Sequence, residues 1–217
     1  MENKIKDAFS ALETPVELKR AVRARLHRRL RWLPACKRLT ILAAAAAASC
    51  ALWFHPVTRI GLDINPSLEL QVNAFRRVIA LVGLNQDGEA LAAALDVHGR
   101  PYDEAMSRIM VSDQLMGYLK QGHLLSITVA GNDAPQVLEQ VVCRAYAAAE
   151  DDQIFYILAD ERTAKAAQKA GMSLIRYEAW QAAMTQNPAV TAQEIQEMSM
   201  TQIRGLLPFE KLEDPCH

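Results

Sequence analysis

The fold class that this sequence predicts is an α+β domain, a mixed and largely antiparallel sheet with helices on one face. One transmembrane helix and a small helical N-terminus are predicted ahead of it. Three observations carry the prediction. Residues 60–73 alternate apolar and polar side chains over two strand-length runs, the period of a half-buried strand. Beyond them, short apolar runs trade places with stretches of helical spacing, the order of an α+β fold. Before them, residues 39–58 carry no Asp, Glu, Lys or Arg. A helix of that length spans roughly 30 Å, the thickness of bilayer hydrocarbon.

Charge divides the chain at the same place. Residues 1–38 hold eleven Lys/Arg against four Asp/Glu, and the remainder holds 13 against 21. Such asymmetry under a net charge of −1 points to two compartments or two kinds of partner. The expected divisions are 1–38, 39–58, 59–160 and 161–217.

At the N-terminus, Ile5, Phe9 and Leu12 recur at helical spacing. Thr14, Pro15 and Glu17 form a capping-box pattern. A second amphipathic helix follows through Leu18, Val22 and Leu26, ringed by Lys19, Arg20, Arg23, Arg25, Arg28 and Arg29. Two helices this small cannot bury a core of their own. They are expected either to stay mobile or to fold on a partner, with the basic cluster lying on anionic lipid. No aromatic interleaving or recognised motif accompanies the arginines, so direct nucleic-acid binding is not expected.

The run 39–58 is only mildly apolar through 43–48, and Trp53 and Phe54 sit where an outer aromatic belt would be. The positive excess lies on its N-terminal side, which places the N-terminus inside and the C-terminal domain outside. A charged region of 38 residues is long for a cleaved signal sequence. Ala48-Ser49-Cys50 is a poor lipoprotein site, since Ala47 precedes it.

Next come strands over 60–65, 68–73 and 77–84, an antiparallel meander. Ile60, Leu62 and Ile64 share one face with Leu68, Leu70 and Val72. Asn65-Pro66-Ser67 interrupts the first pair, where a missing proline N–H does least harm. Asp87-Gly88 turns the chain, with a positive φ expected there, into a helix through Leu91 and Leu95. Asn85 and Asp87 read as loop and cap chemistry, since calcium would want more carboxylates. A helix from Pro101 carries Ala105, Ile109, Met116 and Leu119, and a strand covers 123–130. Asn132 or Asp133 caps a helix through Val137, Val141, Val142 and Tyr146, and a strand follows over 153–159. A helix over 161–170 stops at Gly171, and Ser173 caps its successor, which runs past Trp180 and Met184 to Asn187-Pro188. Thr191 with Glu194, and Ser199 with Gln202, form two more capping boxes.

No catalytic arrangement for an external substrate emerges. The five His show no metal spacing, and His27 and Cys36 stand apart from any Cys-x-x-Cys pair. Ser67, Ser126 and Ser173 lie outside any nucleophile-elbow motif. Cys143 sits on a core-like stripe and Cys216 in the tail, which argues against a bond between them. No cofactor is implied.

Asp63-Ile-Asn-Pro-Ser-Leu-Glu69, then Asn73, Val78-Ile79 and Asn85-Gln-Asp-Gly88, resembles the extracytoplasmic domain of RsgI-type anti-sigma factors. These are single-pass bacterial membrane proteins that hold a sigma factor inactive at the inner face. Lys165-x-x-x-Lys169-x-Gly171-Met-Ser-Leu-x-Arg176-Tyr177 is similar to the helix–turn–helix that often closes this domain.

The resemblance implies self-cleavage between Asn65 and Pro66, a single-turnover event rather than enzyme catalysis. The Asn65 side-chain nitrogen attacks its own backbone carbonyl, closes a succinimide and expels Pro66. Asp63 and Ser67 are placed to polarise that carbonyl or shuttle a proton. It also implies that Ile5, Phe9, Leu12, Val16, Leu18, Val22 and Leu26 mask a sigma factor, and that membrane proteases act after the outer piece is lost. The signal would be an unknown extracytoplasmic ligand, as no carbohydrate-binding module is recognisable. RsgI proteins as first described carry a small β-rich N-terminal domain, whereas this one reads as helical, which leaves the sigma partner open. The alternative is a membrane-anchored extracytoplasmic ligand-binding module without a sigma partner. Asn187-Pro188 supplies an internal comparison, being the same dipeptide without a strand context.

Overall fold

The computed structural model describes residues 20, 35–131, 133–149 and 151–207. The expected sigma-binding face, Asn132 and Cys216 lie outside the described residues. The chain divides into two compact units, 1–51 and 52–217.

In the first unit the described residues are Arg20, exposed and helical, and most of helix α1 (Ala35–Phe54). The predicted span over 39–58 is corrected here. No helix among the described residues is long and apolar enough to cross a membrane. The physical reason is visible at both ends. Strand β1 (Pro56–Asp63) begins inside the predicted run, which sets the 20-residue helix four residues nearer the charged N-terminal side. Lys37 and Arg38 then occupy the first turn of α1, and its middle is alanine, whose methyl buries little area.

The second unit is built on β1, β2 (Ser67–Asn73), β3 (Val78–Gly83), β4 (Leu125–Gly131) and β5 (Ile154–Ala159). Their order is β3-β2-β1-β4-β5. β1 lies at the centre, antiparallel to β2 and to β4, while β4 and β5 run parallel. The β1–β2 register pairs Asp63 with Ser67, Leu62 with Leu68 and Ile60 with Leu70. The expected alternation is what the sheet uses. Ile60, Leu62, Leu68 and Leu70 are at most 1% exposed, each such side chain stabilising the fold by about 1.5–3 kcal/mol. On the opposite face Arg59 Nη1 meets Glu69 Oε1 at 2.6 Å, and Gln71 Nε2 donates to the same oxygen at 2.9 Å.

Helix α2 (Gln86–Ala94) follows β3, and α3 (Tyr102–Met110) and α4 (Asp113–Lys120) stand in place of the one helix expected. The ladder breaks at Val111-Ser112, where the Ser112 hydroxyl donates to the Ile109 carbonyl at 2.7 Å, a side-chain substitute for a backbone partner. Helix α5 (Ala134–Tyr146) connects β4 to β5. Cys143 on α5 is disulfide-bonded; the expectation against a bond to Cys216 falls on a residue outside those described.

Helices cover both faces of the sheet, not one. Ile60, Ile127, Ile154 and Tyr156 form one core with Met106, Leu115 and Leu138. Phe155 points the other way, into a core with Ile175, Ala179, Ile195 and Ile203, and adjacent strand residues face opposite sides. This second layer consists of α6 (Glu161–Lys169), α7 (Leu174–Gln186), α8 (Ala192–Glu197) and α9 (Met200–Leu206). β4 is built for two-sided burial. Ser126, Thr128 and Ala130 are at most 2% exposed, and such short side chains let a helix approach closely. Thr191 and Ser199 form the expected capping boxes of α8 and α9, and Gly171 has the positive φ, 65°, of a helix stop.

Candidate functional site

The β1–β2 connection is three residues long, Ile64, Asn65 and Pro66, closed by Ile64 N–H donating to Pro66 O at 3.2 Å. A short antiparallel connection needs one residue in the left-handed region. Here that residue is Asn65, at φ 95°. Asparagine tolerates this region better than most side chains, yet 95° lies well beyond the left-handed optimum near 57° and costs about 1–3 kcal/mol. Asn65 is exposed and Pro66 buried. By contrast Asn187, before the other proline, has φ −140° and simply ends α7.

Asp63 and Ser67, expected to assist chemistry, are brought together beneath this turn. The Ser67 hydroxyl donates to Asp63 Oδ1 at 2.7 Å, and the two residues are 4% and 2% exposed, serine first. That proton is therefore committed to Asp63, and the pair closes the base of the hairpin.

Two residues legible in the sequence only as a cap and a turn complete the site. Asn85 is the N-cap of α2. Its Oδ1 accepts from Gly88 N at 2.8 Å and from Ser67 N at 3.0 Å, while its Nδ2 donates to Asn65 Oδ1 at 2.8 Å. One side chain thus ties the start of α2, the start of β2 and the turn. Gly88 does not have the positive φ expected of it. It serves close approach instead, since a Cβ there would lie 2.1 Å from Ser67 O. From below, the Tyr118 hydroxyl of α4 donates to Asp87 Oδ2 at 3.3 Å. Burial first, and then the Asp87 carboxylate, raises that phenol above its ordinary pKa.

Arg176 of α7 approaches from the second helical layer. Its Nε lies 3.6 Å from Asp63 Oδ1. Its Nη1 donates to the carbonyls of Ile195, Gln196 and Met198 at 2.7, 2.9 and 2.9 Å. Those carbonyls end α8, where a helix carries its negative partial charge. Ser173 takes the N-cap position of α7, but its buried hydroxyl makes no bond to any described residue. A cleft of about 230 Å³ lies among Asn65, Ser67, Asn85, Met172, Ser173 and Arg176.

Asn73 proves structural. It is 1% exposed, accepts from the Phe75 and Arg77 amides at 3.0 Å each, and donates to the Trp53 carbonyl at 2.9 Å. Trp53 packs on Phe75 with ring centroids 5.6 Å apart, a contact within the second unit. Among the described residues no three His, Cys, Asp or Glu gather as a metal site.

Residues 57–182 match the family model described as the anti-sigma factor RsgI-like central domain. Anti-sigma-I factor RsgI7 of Acetivibrio thermocellus is 36% identical over 86 residues, which cover 39% of this chain and 16% of that protein. The match therefore spans well under a fifth of that relative's length. With its Asp63-to-Glu69 hairpin and the turn between α6 and α7 both inside the matched region, the chain belongs to the RsgI-type anti-sigma factors.

Proposed function

We propose that this chain sequesters a sigma factor through its N-terminal segment and releases it after an outside signal. Self-cleavage between Asn65 and Pro66 prepares that release. The observation that carries the cleavage reading is Asn65 itself, held at φ 95° before a proline and at the tip of a central hairpin. A tertiary X–Pro amide beside a residue held in a costly conformation is a favourable place for such a cut. The Asn65 side-chain nitrogen attacks the Asn65 carbonyl carbon, and the bond from that carbon to Pro66 N breaks. The proton lost by the side-chain nitrogen ends on Pro66 N, which leaves as a secondary amine. Water then opens the succinimide left at Asn65.

After the cut, β1 belongs to the N-terminal piece and everything from Pro66 to the other. β1 is hydrogen-bonded on both sides, to β2 and β4, so the pieces stay together until load or a ligand draws the strand out. Membrane proteases acting on the stub would follow. Placement of the sheet unit outside the plasma membrane, with the N-terminus inside, is supported by the charge asymmetry and by the Cys143 disulfide, a bond that persists in oxidising compartments.

Denatured intact mass of the full-length protein tests the cleavage. Two pieces are expected, one beginning at Pro66, and a single chain from Asn65→Ala. An uncut wild-type chain reduces the turn to a connection. Sigma binding has its own test. Residues 1–38 are expected to be needed for co-purification with one of the host's sigma factors. Failure with all of them favours the alternative, an outer ligand-binding module.

A further inference from the structure

The geometry points to Asn85 as the group that activates the Asn65 amide for self-cleavage, by donating a hydrogen bond to the oxygen where charge develops. This inference rests on the cleavage reading and assigns a residue within it. An amide nitrogen is a poor nucleophile because its lone pair is delocalised onto the oxygen. It attacks once a proton leaves the nitrogen, and the negative charge then sits chiefly on Oδ1. A donor already aimed at Oδ1 stabilises that amidate without reorganisation. Asn85 Nδ2, 2.8 Å from Asn65 Oδ1, is such a donor.

Two further features fit the role better than a plain helix cap. Asn85 Oδ1 accepts two backbone N–H groups, from Gly88 and Ser67. Both withdraw electron density from the amide, which strengthens its N–H as a donor. They also fix which end of the side chain faces Asn65, because only the oxygen can accept from those amides. A cap alone would need the oxygen and leave the nitrogen free to face solvent. Meanwhile Asn65 Nδ2 donates to no described residue and is left free to move onto the carbonyl carbon. The Ser67 hydroxyl is committed to Asp63, which leaves Asn85 as the donor to that amide among the described residues.

The substitution that separates cap from donor is Asn85→Asp. A carboxylate still accepts from Gly88 and Ser67, and remains a favoured N-cap, but it presents an acceptor to Asn65 Oδ1. Full-length protein is made by cell-free translation, quenched in denaturant at intervals, and scored for the two pieces. Wild type is expected to cut, and Asn85→Asp to cut about 10²-fold more slowly, the scale of one lost oxyanion donor. On acidification the carboxyl introduced in that variant gains a proton and can donate again. The ratio of variant to wild-type rate is therefore expected to rise as pH falls. Asp63, Asp87, Glu89, Tyr118, Arg176 and Glu197 surround the corner in both proteins and cancel in that ratio. Asn85→Ser, which retains a capping hydroxyl but no amide donor, decides the matter if Asn85→Asp does not fold. Either variant folded and cutting at the wild-type rate overturns the assignment of Asn85 alone. No cut in wild type overturns the cleavage reading beneath it.

Discussion

Arg176→Met is expected to lower the unfolding free energy by about 3 kcal/mol, the low end for a buried ion pair that loses one partner. Methionine keeps most of the apolar stem, so the loss is electrostatic rather than a cavity. The Asp63 side chain is 2% exposed, out of reach of water, while the Arg176 side chain is 13% exposed at the edge of the cleft. With the guanidinium gone, the Asp63 carboxylate retains only the Ser67 hydroxyl; at the end of α8 the Gln196 and Met198 carbonyls lose the arginine donor, while Ile195 O keeps the Met198 N–H at 3.3 Å. These bonds come from a charged donor, and the figure of about 3 kcal/mol covers their loss together with that of the ion pair, because the freed carbonyls rehydrate. The 3.6 Å separation is what holds the estimate at the low end. Urea unfolding followed by tryptophan fluorescence measures it, with Trp180 on α7 as the local reporter. A loss under about 1 kcal/mol would rank the pair with surface salt bridges and sink the argument. Adding Asp63→Asn to Arg176→Met is expected to restore part of the loss, since no buried charge then lacks a partner.

The reach of that arginine shows what the sequence could and could not reveal. Ile60 to Val72 alternates with a period that has one physical use, a sheet with a buried face, and the structure uses it. Thr191 and Ser199 cap because their signals act over three residues. Local chemistry was legible. β1 starting at Pro56 was not, because Pro56 and Val57 continue an uncharged run and only the pairing of Pro56 with Asn73 of β2 brings them into the strand. The second helical layer was hidden for a related reason. Ser126 and Thr128 alternate with Ile127 and Val129 along β4, yet they are small enough to be buried against a helix. Asn85 was legible as a cap, yet its bond to Asn65 crosses 20 residues, and Arg176 reaches Asp63 across more than a hundred. The fold could be read from periodicity; the site is made by contacts that periodicity does not encode.

Gly88→Ala is expected to destabilise the protein by about 2 kcal/mol or more and to slow the Asn65–Pro66 cut with it. Helix propensity argues the other way, since alanine in a helix is favoured over glycine by ~1 kcal/mol. Sterics decide. The added Cβ would lie 2.1 Å from Ser67 O and 2.8 Å from Asn85 Oδ1, the first being backbone in a paired strand that also accepts from Leu84 N at 2.9 Å. Asn85 Oδ1 could turn aside only by giving up its cap, and the backbone Ser67 O cannot rotate away, so α2 must shift off β2, at the ~1–3 kcal/mol typical of overpacking beyond the propensity gain. Moving α2 carries its N-cap along and stretches the Asn85 contact to Asn65. Gly117, inside α4 with nothing within 4 Å of an added Cβ, is the control, and Gly117→Ala should stabilise by ~0.5–1 kcal/mol. The two corner substitutions then separate packing from chemistry. Gly88→Ala should lose stability and cleavage together, whereas Asn85→Asp should lose cleavage while its thermal midpoint holds. Gly88→Ala with wild-type stability would mean that α2 does not bear on Ser67, and the corner would not be the rigid frame that presents Asn85 to Asn65.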